Sequence, residues 1–335
     1  MDVFVCAGCG AELTVPLARV PLPVEAHFSY GHGVMPQLMA PGTYAVDPEP
    51  SGPPFRPWEE IGEAEAAARG LFAPVYPLSF GARDRIVVAP GDVRGTRLIP
   101  EHSGNSCLGM CVGDQPSMAC TACGLLVASR VDDCGLWQAV WIEPNAVRRV
   151  ATGLPVPARE LEPLAPIDPL GGWSDAWQAA TGTALADLLV ASGGAPLALP
   201  DGLLSEVFGA PLDTLLPPGP PPKRVGLAGP GRPGGGLDIA LVPYDRVTGE
   251  PWRPAGGAVP VPLPDGVWAY LALPGETWPL PASGTLPDGV LRDDYPLPDH
   301  PWYVFRPDHH AFRATLARRP EVREPWLRAL FDRGF

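Results

Sequence analysis

Four of the seven cysteines form two Cys-x-x-Cys-Gly motifs. The first motif extends from Cys6 to Cys9 and the second from Cys120 to Cys123, and a glycine follows each of them. A tight turn of this kind places two thiols close together, and the glycine permits the backbone bend after the second cysteine. Two such turns that face each other supply four sulfur ligands, a set that Zn²⁺ prefers. The spacing therefore predicts one metal site built from both motifs.

The two motifs resemble the paired knuckles of zinc-ribbon modules, and the resemblance covers only the motifs and their flanking strands. It implies that Cys6, Cys9, Cys120 and Cys123 bind one structural zinc ion in a three-stranded β-ribbon. The chain departs from a compact ribbon in one respect, because about 110 residues separate the motifs. We expect an insertion at about 15–116 that forms a subdomain of its own, with its ends held together by the metal.

The alternative for either motif is a redox-active dithiol of the kind found in thioredoxin-like proteins. That chemistry uses a single motif in a βαβ setting, whereas this chain has two matched motifs. Paired Cys-x-x-Cys motifs in an intracellular chain also favour a metal over a disulfide framework. We therefore expect Zn²⁺ as the cofactor.

Three further cysteines, Cys107, Cys111 and Cys134, lie close in sequence to His102 or to the second motif. With His102 they form a candidate second zinc site, in which Cys134 arrives from the start of a strand. The alternatives are a redox pair of Cys107 with Cys111 or three inert thiols, and the irregular spacing favours inert thiols. The two aspartates directly before Cys134 disfavour its thiolate and argue against a nucleophilic role.

The remaining candidates for catalysis are histidines near aspartates. A hydrolase needs a base within hydrogen-bond reach of a nucleophile or of a metal-bound water. The sequence contains no His-Glu-x-x-His, Gly-x-Ser-x-Gly or Walker motif that would give these residues an order. The candidates are His27 and His32 in one group, and His300, His309 and His310 with Asp293, Asp294, Asp299 and Asp308 in another.

Composition narrows the class of protein. The 335 residues include 47 Pro and 39 Gly, but 46% are hydrophobic and 10 are Trp, which predicts a folded chain with many turns. The single Lys among 24 basic residues and the abundance of Ala, Gly and Pro are typical of a GC-rich genome. The net charge of −13 argues against a broad nucleic-acid interface, which needs clustered Lys and Arg.

The sequence also predicts a cytoplasmic protein. No stretch reaches the roughly eighteen apolar residues of a membrane span. The first residues, MDVFVCAGCGAEL, lack the basic and apolar regions of a signal peptide.

The elements that must position the cysteines are short strands beside each motif, and a central strand whose two faces are both largely apolar. Helix formers predict one helix in this half, over 59–72. The predicted strands are residues 2–6, 12–17, 117–120, 125–131 and 135–144.

Two helices are predicted in the middle of the chain. The longer one begins after Ser174 and ends at the Gly193-Gly194 pair, and Asp201 caps a short one over 202–209. Pro and Gly dominate 217–236, which predicts a linker.

The C-terminal part predicts strands separated by turns and then two helices, one capped by Asp308 and one starting at Pro325. The predicted strands are 237–244, 267–274 and 302–306, and the predicted turns are at Thr248-Gly249, Asp265-Gly266 and Asp288-Gly289.

These elements predict an α+β fold with a split zinc β-ribbon in the N-terminal half, a mixed helical middle and a small β-rich C-terminal domain ending in helices. The expected divisions are 1–150, 151–216, 217–236 and 237–335.

The leading hypothesis is a non-enzymatic, acidic zinc protein of a GC-rich bacterium that acts as a regulator, adaptor or accessory and binds an unidentified protein. The runner-up is a metal-dependent hydrolase or transferase that uses the His/Asp residues or the second cysteine cluster, with the ribbon as a structural accessory. A zinc-ribbon nucleic-acid binder is the weakest of the three hypotheses, because the net charge of −13 opposes contact with phosphates.

Overall fold

The chain has a mixed α/β structure. The computed structural model describes residues 1–157, 161–168, 171–219, 222–244, 250–272, 278–279, 301 and 303–334. Two compact units are present: the first comprises Met1–Gly62 with Tyr76–Arg159, and the second comprises Glu63–Val75 with Glu160–Phe335. The predicted segments 151–216, 217–236 and 237–335 therefore lie almost entirely in the second unit.

The first unit is built from short strands. They are β1 (Asp2–Cys6), β2 (Ala18–Arg19), β3 (Thr43–Asp47), β4 (Phe55–Arg56), β5 (Leu78–Ser79), β6 (Arg85–Val88), β7 (Thr96–Leu98), β8 (Met118–Cys120), β9 (Leu126–Val131), β10 (Ala139–Ile142) and β11 (Val147–Ala151).

A seven-stranded sheet forms the centre of this unit, in the order β2-β3-β6-β10-β9-β8-β7. Strand β10 lies between β6 and β9 and pairs antiparallel with both, and all four of its residues are buried. Its side chains alternate between two cores: Val140 and Ile142 pack in one, and Ala139 and Trp141 in the other. The prediction of a central strand with two apolar faces is confirmed.

The two cysteine motifs lie in different sheets. Strand β1 leads into the first motif and pairs with β11 in a separate two-stranded sheet. The second motif connects β8 to β9 in the seven-stranded sheet. Within the first unit, the motifs therefore do not share the single three-stranded ribbon that the resemblance implied.

The long insertion is part of the same fold as the motifs. Strands β2, β3, β6 and β7 come from it, and they hydrogen bond into the sheet that holds β8–β10. Residues Glu63–Val75 belong to the second unit, where the Phe72 amide donates to the Ala317 carbonyl at 2.7 Å. Of the insertion's strands in this sheet, β2, β3 and β6 pair in that order on one side of β10, and β7 forms the opposite edge, so the sheet combines strands from the insertion with strands beside the second motif.

The second unit combines helices with a parallel sheet. Its elements are α1 (Glu63–Ala68), α2 (Asp175–Ser192), β12 (Leu197–Ala198), α3 (Leu203–Leu215), β13 (Lys223–Leu227), β14 (Ile239–Val242), β15 (Val259–Pro262), α4 (Asp265–Ala272), α5 (His309–Ala317) and α6 (Pro325–Arg333).

Four parallel strands, in the order β12-β13-β14-β15, form this sheet, and the largely buried helix α2 packs against β14, β15 and α5. The predicted bounds of α2 are confirmed at both ends. Ser174 occupies the N-cap, although its side chain makes no capping hydrogen bond, and Gly193 ends the helix in the left-handed conformation.

The Pro/Gly-rich stretch 217–236, which was predicted to be a linker, contains a strand. Residues 223–227, inside the predicted linker, form β13 between two neighbouring strands, with Val225 buried. Residues 267–272, the described part of the predicted strand at 267–274, are instead part of α4, whose first residues are the predicted turn at Asp265-Gly266. A short apolar run fits either a buried strand or a buried helix, so composition did not separate them.

The remaining predictions concern the helix over 59–72 and the elements of the C-terminal part. The predicted helix over 59–72 is limited to a short 3₁₀ turn and α1. Asp308 caps α5 by accepting from the Ala311 amide at 2.7 Å, and Pro325 is the first residue of α6, as predicted. The turns at Thr248-Gly249 and Asp288-Gly289 lie outside the described residues, and 303–306, the described part of the predicted strand at 302–306, is not a strand. Among the described helices, none is both long and apolar enough to cross a membrane.

Candidate metal centre

The two cysteine motifs have the same backbone structure. Each begins at the end of a strand and folds back through two hydrogen bonds. In the first, the Gly10 amide donates to the Cys6 carbonyl at 2.8 Å, and the Cys6 amide donates to the Ala11 carbonyl. The second motif repeats this pattern, with Gly124 donating to Cys120 at 2.9 Å and Cys120 donating to Leu125.

The glycine after each motif is required by the backbone. Gly10 and Gly124 both have φ near +79°, a left-handed conformation that disfavours side chains with a Cβ. The bend turns the chain after the second cysteine back along the preceding strand. The role predicted for these glycines is confirmed.

The four cysteine sulfurs meet in one cluster. Cys6 Sγ lies 3.6 Å from Cys123 Sγ, and Cys9 Sγ lies 3.7 Å from Cys120 Sγ. All four sulfur atoms lie within 4.8 Å of one another. A tetrahedral zinc ion with Zn–S bonds of about 2.3 Å holds its sulfurs about 3.8 Å apart, so the cluster has the dimensions of a metal site.

The cluster lies at the edge of a core. Cys6 and Cys120 are fully buried and pack with Phe4, Leu13 and Val127, whereas the second cysteine of each motif is exposed. The buried cysteines, Cys6 and Cys120, anchor the site at the ends of β1 and β8. The exposed cysteines leave a route by which an ion can enter.

The four clustered thiols and the backbone amides beside them shift the pKa values of Cys120 and Cys9. Although burial opposes it, the amides of Cys123 and Ala122 and the thiols of Cys9 and Cys6 lower the pKa of Cys120 to about 7. The Ala11 amide favours the Cys9 thiolate, but desolvation and the thiols of Cys123, Cys120 and Cys6 raise the pKa of Cys9 to about 12. The cluster therefore ionises readily at one thiol and resists ionisation of a second. A bound divalent cation would offset the repulsion between the thiolates.

A second cluster is present in the first unit, with a membership that differs from the predicted one. The ligand atoms of Cys107, Asp133 and Cys134 lie within 4.8 Å of one another. The His32 ring also approaches this cluster, with its Nδ1 atom 3.9 Å from Cys134 Sγ. The Cys107 thiol, burial and the charges of Cys107 and Asp133 raise the pKa of Cys134, as the neighbouring aspartate led us to expect.

The other two residues of the predicted second site are not in this cluster. The His102 ring donates from Nδ1 to the Pro116 carbonyl at 2.8 Å. Cys111 is half-buried, and its amide donates to the Ser103 hydroxyl at 3.0 Å. Burial is the main cause that raises the pKa of Cys111. Proximity in sequence suggested that these residues join the cluster, but neither the His102 ring nor the Cys111 thiol is among its ligand atoms.

The predicted histidine groups do not form a catalytic arrangement within the described residues. His27 pairs with the buried Asp47 at 3.0 Å and lies beside the Trp141 ring. His309 and His310 are adjacent on α5, with ring centroids 6.1 Å apart. His300, Asp293, Asp294 and Asp299 lie outside the described part of the chain.

Sequence reasoning missed two residues of the second cluster. His32 is about 100 residues from Cys134 and belongs to no motif, so only the fold brings the two together. Asp133 was noted as a neighbouring charge, but its role as an anchor for the 107–109 loop depends on backbone hydrogen bonds that a sequence does not display. Comparison with family models, curated proteins and solved structures gives no match to this chain.

Proposed function

We propose that the chain is a non-enzymatic zinc protein whose four-cysteine site, Cys6, Cys9, Cys120 and Cys123, is a split zinc-ribbon-like site with a structural role. The observation that carries this proposal is the pair of sulfur–sulfur distances of 3.6 and 3.7 Å between the two motifs. Each of these distances joins one motif to the other, as a shared ion requires.

The donor set supports a structural ion over a catalytic one. Catalytic zinc sites keep one position for water or substrate, whereas four cysteines fill the tetrahedron and leave none. Two of the four sulfurs are also buried in the core. A metal here fixes the ends of two separate sheets instead of activating a substrate.

The biological role that we propose is an interaction role, as a regulator, adaptor or accessory protein of a GC-rich bacterium that binds another protein. It is supported by the filled metal coordination and by the lack of established catalytic motifs in the sequence. The net charge of −13 favours a protein partner over a nucleic acid.

The metal is tested by elemental mass spectrometry on the full chain purified without added metal, compared with Cys120→Ser and with Cys111→Ser as the matched control. We expect zinc in the wild type and in the control, and one zinc fewer per chain in Cys120→Ser. Equal zinc in all three proteins would refute the four-cysteine site.

The interaction role is tested separately by affinity capture from extracts of the source cells, followed by reconstitution from purified components. We expect a stoichiometric protein complex that forms with the wild type and with Cys111→Ser and is weakened by Cys120→Ser. Turnover of a small substrate by the purified chain, without such a complex, would refute the role.

A further inference from the structure

A second metal-binding arrangement is held on the turn between β9 and β10. This turn, residues 132–136, carries Cys134 and receives hydrogen bonds from two separate loops. One loop brings Cys107 and the other brings His32. The three side chains come from three separate segments, of which the Cys107 loop is held by the Asp133 carboxylate and the His32 loop by backbone hydrogen bonds to the turn.

Asp133 positions Cys107. Its carboxylate is buried, with 7% of the residue exposed, and it accepts hydrogen bonds from three consecutive amides. Oδ1 accepts from Leu108 at 2.7 Å and from Gly109 at 3.3 Å, and Oδ2 accepts from Cys107 at 2.9 Å. Since these amides hydrogen bond to both carboxylate oxygens, Asp133 orients the loop and adds negative charge beside the thiols, which is the role of a residue that positions metal ligands.

His32 lies in the loop between β2 and β3, and this loop positions its side chain. The Tyr30 amide donates to the Gly135 carbonyl at 2.8 Å, and the Gly135 amide donates to the Gly33 carbonyl at 2.8 Å. Gly135 has φ of +70°, and a Cβ there would approach the Gly31 carbonyl to 2.5 Å, so the close contact of the loop and the turn requires glycine. This contact places the His32 ring beside Cys134.

Cys134 lies close to both of the other two side chains. In a tetrahedral site, a thiolate sulfur and an imidazole nitrogen that share a zinc ion lie about 3.5 Å apart. The observed separation of Cys134 Sγ and His32 Nδ1 is 3.9 Å, and the two thiols lie within 4.8 Å of each other. Cys107 and His32 are exposed, so their side chains are not held by packing and can rotate towards an ion beside Cys134.

The geometry points to a second metal site in which Cys107, Cys134 and His32 bind a thiophilic divalent cation, with Asp133 as the positioning residue. Two thiolates and one imidazole leave a fourth position, and the exposed side of the cluster gives it to water. This site therefore differs in kind from the closed four-cysteine site, because an exogenous ligand can reach the metal.

The experiment counts metals and reads their ligands on the full chain. Reduced protein is equilibrated with excess Zn²⁺ or Co²⁺, freed of loosely bound ions by gel filtration, and measured by elemental mass spectrometry and visible absorption. We expect two metals in the wild type and in the control Cys111→Ser, and one in Cys107→Ser and in Cys134→Ser. The metal that remains in the four-cysteine site reports that these variants are folded.

His32→Gln tests the third ligand. We expect its affinity for the second ion to fall at least about tenfold, with a changed Co²⁺ spectrum, while the first ion is unaffected. Added imidazole should shift the Co²⁺ bands of the second site in the wild type, because the fourth position is open.

Three outcomes would overturn the inference. They are a single metal in the reduced wild type, two metals in Cys134→Ser, and a Cys107–Cys134 disulfide that forms in air with no second metal bound after reduction. The proposed function fails on a different result, the equal metal content of wild type and Cys120→Ser, so the two failures are distinguishable.

Discussion

Loss of the four-cysteine metal should destabilise the first unit by several kcal/mol and leave the second unit intact. An ion bound by the four cysteines would link Cys9 to Cys120 and so close a loop of about 110 residues. For a cross-link over a loop of that length, chain entropy gives a stabilisation of about 5 kcal/mol at 25 °C. Because a domain is stable by about 5–15 kcal/mol, removal of this cross-link takes away a third or more of the total.

The assay is hydrogen exchange followed by mass spectrometry on wild type, wild type with a chelator, and Cys120→Ser. Amides of β9 and β10 report the first unit, and amides of α2 report the second. We expect chelation and Cys120→Ser each to lower the opening free energy of β9 and β10 by about 3–5 kcal/mol, with α2 unchanged. The control Cys111→Ser should keep wild-type protection in both units.

The reasoning would be refuted by unchanged protection of β10 in metal-free Cys120→Ser. In that case the hydrogen bonds of the seven-stranded sheet alone would fix the two motifs. A uniform loss of protection in β10 and α2 would also contradict it, because the metal ligands lie entirely in the first unit.

Three further predictions concern the second unit, all measured by urea unfolding. Gly182→Ala should lower the free energy of unfolding by about 1–3 kcal/mol, because its Cβ would overlap the Asp308 carbonyl. The control Gly209→Ala on α3 meets only ordinary contacts and should raise the free energy of unfolding by about 0.5–1 kcal/mol. A change of the same sign in both variants would contradict the close approach at Gly182. Burial and the charges of Asp168 and Asp308 raise the pKa of Asp175 to about 6, so the folded state favours the protonated acid and stability rises as pH falls from about 7 towards 4. Asp175→Asn should remove that slope and stabilise by about 1–2 kcal/mol at pH 7, and an unchanged pH profile would refute the shift. Asp308→Ala should cost about 1 kcal/mol at pH 4 through loss of the α5 cap and less at pH 7, where its repulsion of Asp175 is also removed; a cost that does not vary with pH would count against the coupling.

The four-cysteine cluster was predictable because each of its two motifs is a local structure. A Cys-x-x-Cys-Gly turn needs only its own residues, and the left-handed Gly10 and Gly124 follow from the bend that two neighbouring thiols impose. The same holds for the helix ends at Ser174, Gly193, Asp308 and Pro325, because capping is decided within one helical turn.

Elements whose type depends on burial were less predictable. The run around Val225 is too short and too rich in neighbouring glycine and proline to predict β13, and only pairing with β12 and β14 makes it a strand. The run around Trp268 has the residues of a strand, but it forms α4, where the Trp268 indole donates to the Leu241 carbonyl at 3.1 Å. Propensity over a few residues is weaker than the free energy gained by burial.

The sequence by itself therefore determined the four-cysteine motif pair, the main helix ends and the central position of β10. Only the tertiary structure decided that the long insertion completes the sheet that holds the second motif, and that Cys134 lies beside Cys107, Asp133 and His32. The physical reason is that the His32 loop reaches the turn that carries Cys134 through backbone hydrogen bonds between residues about 100 positions apart. Such bonds carry no residue-type signature, so they become visible only when the chain is folded.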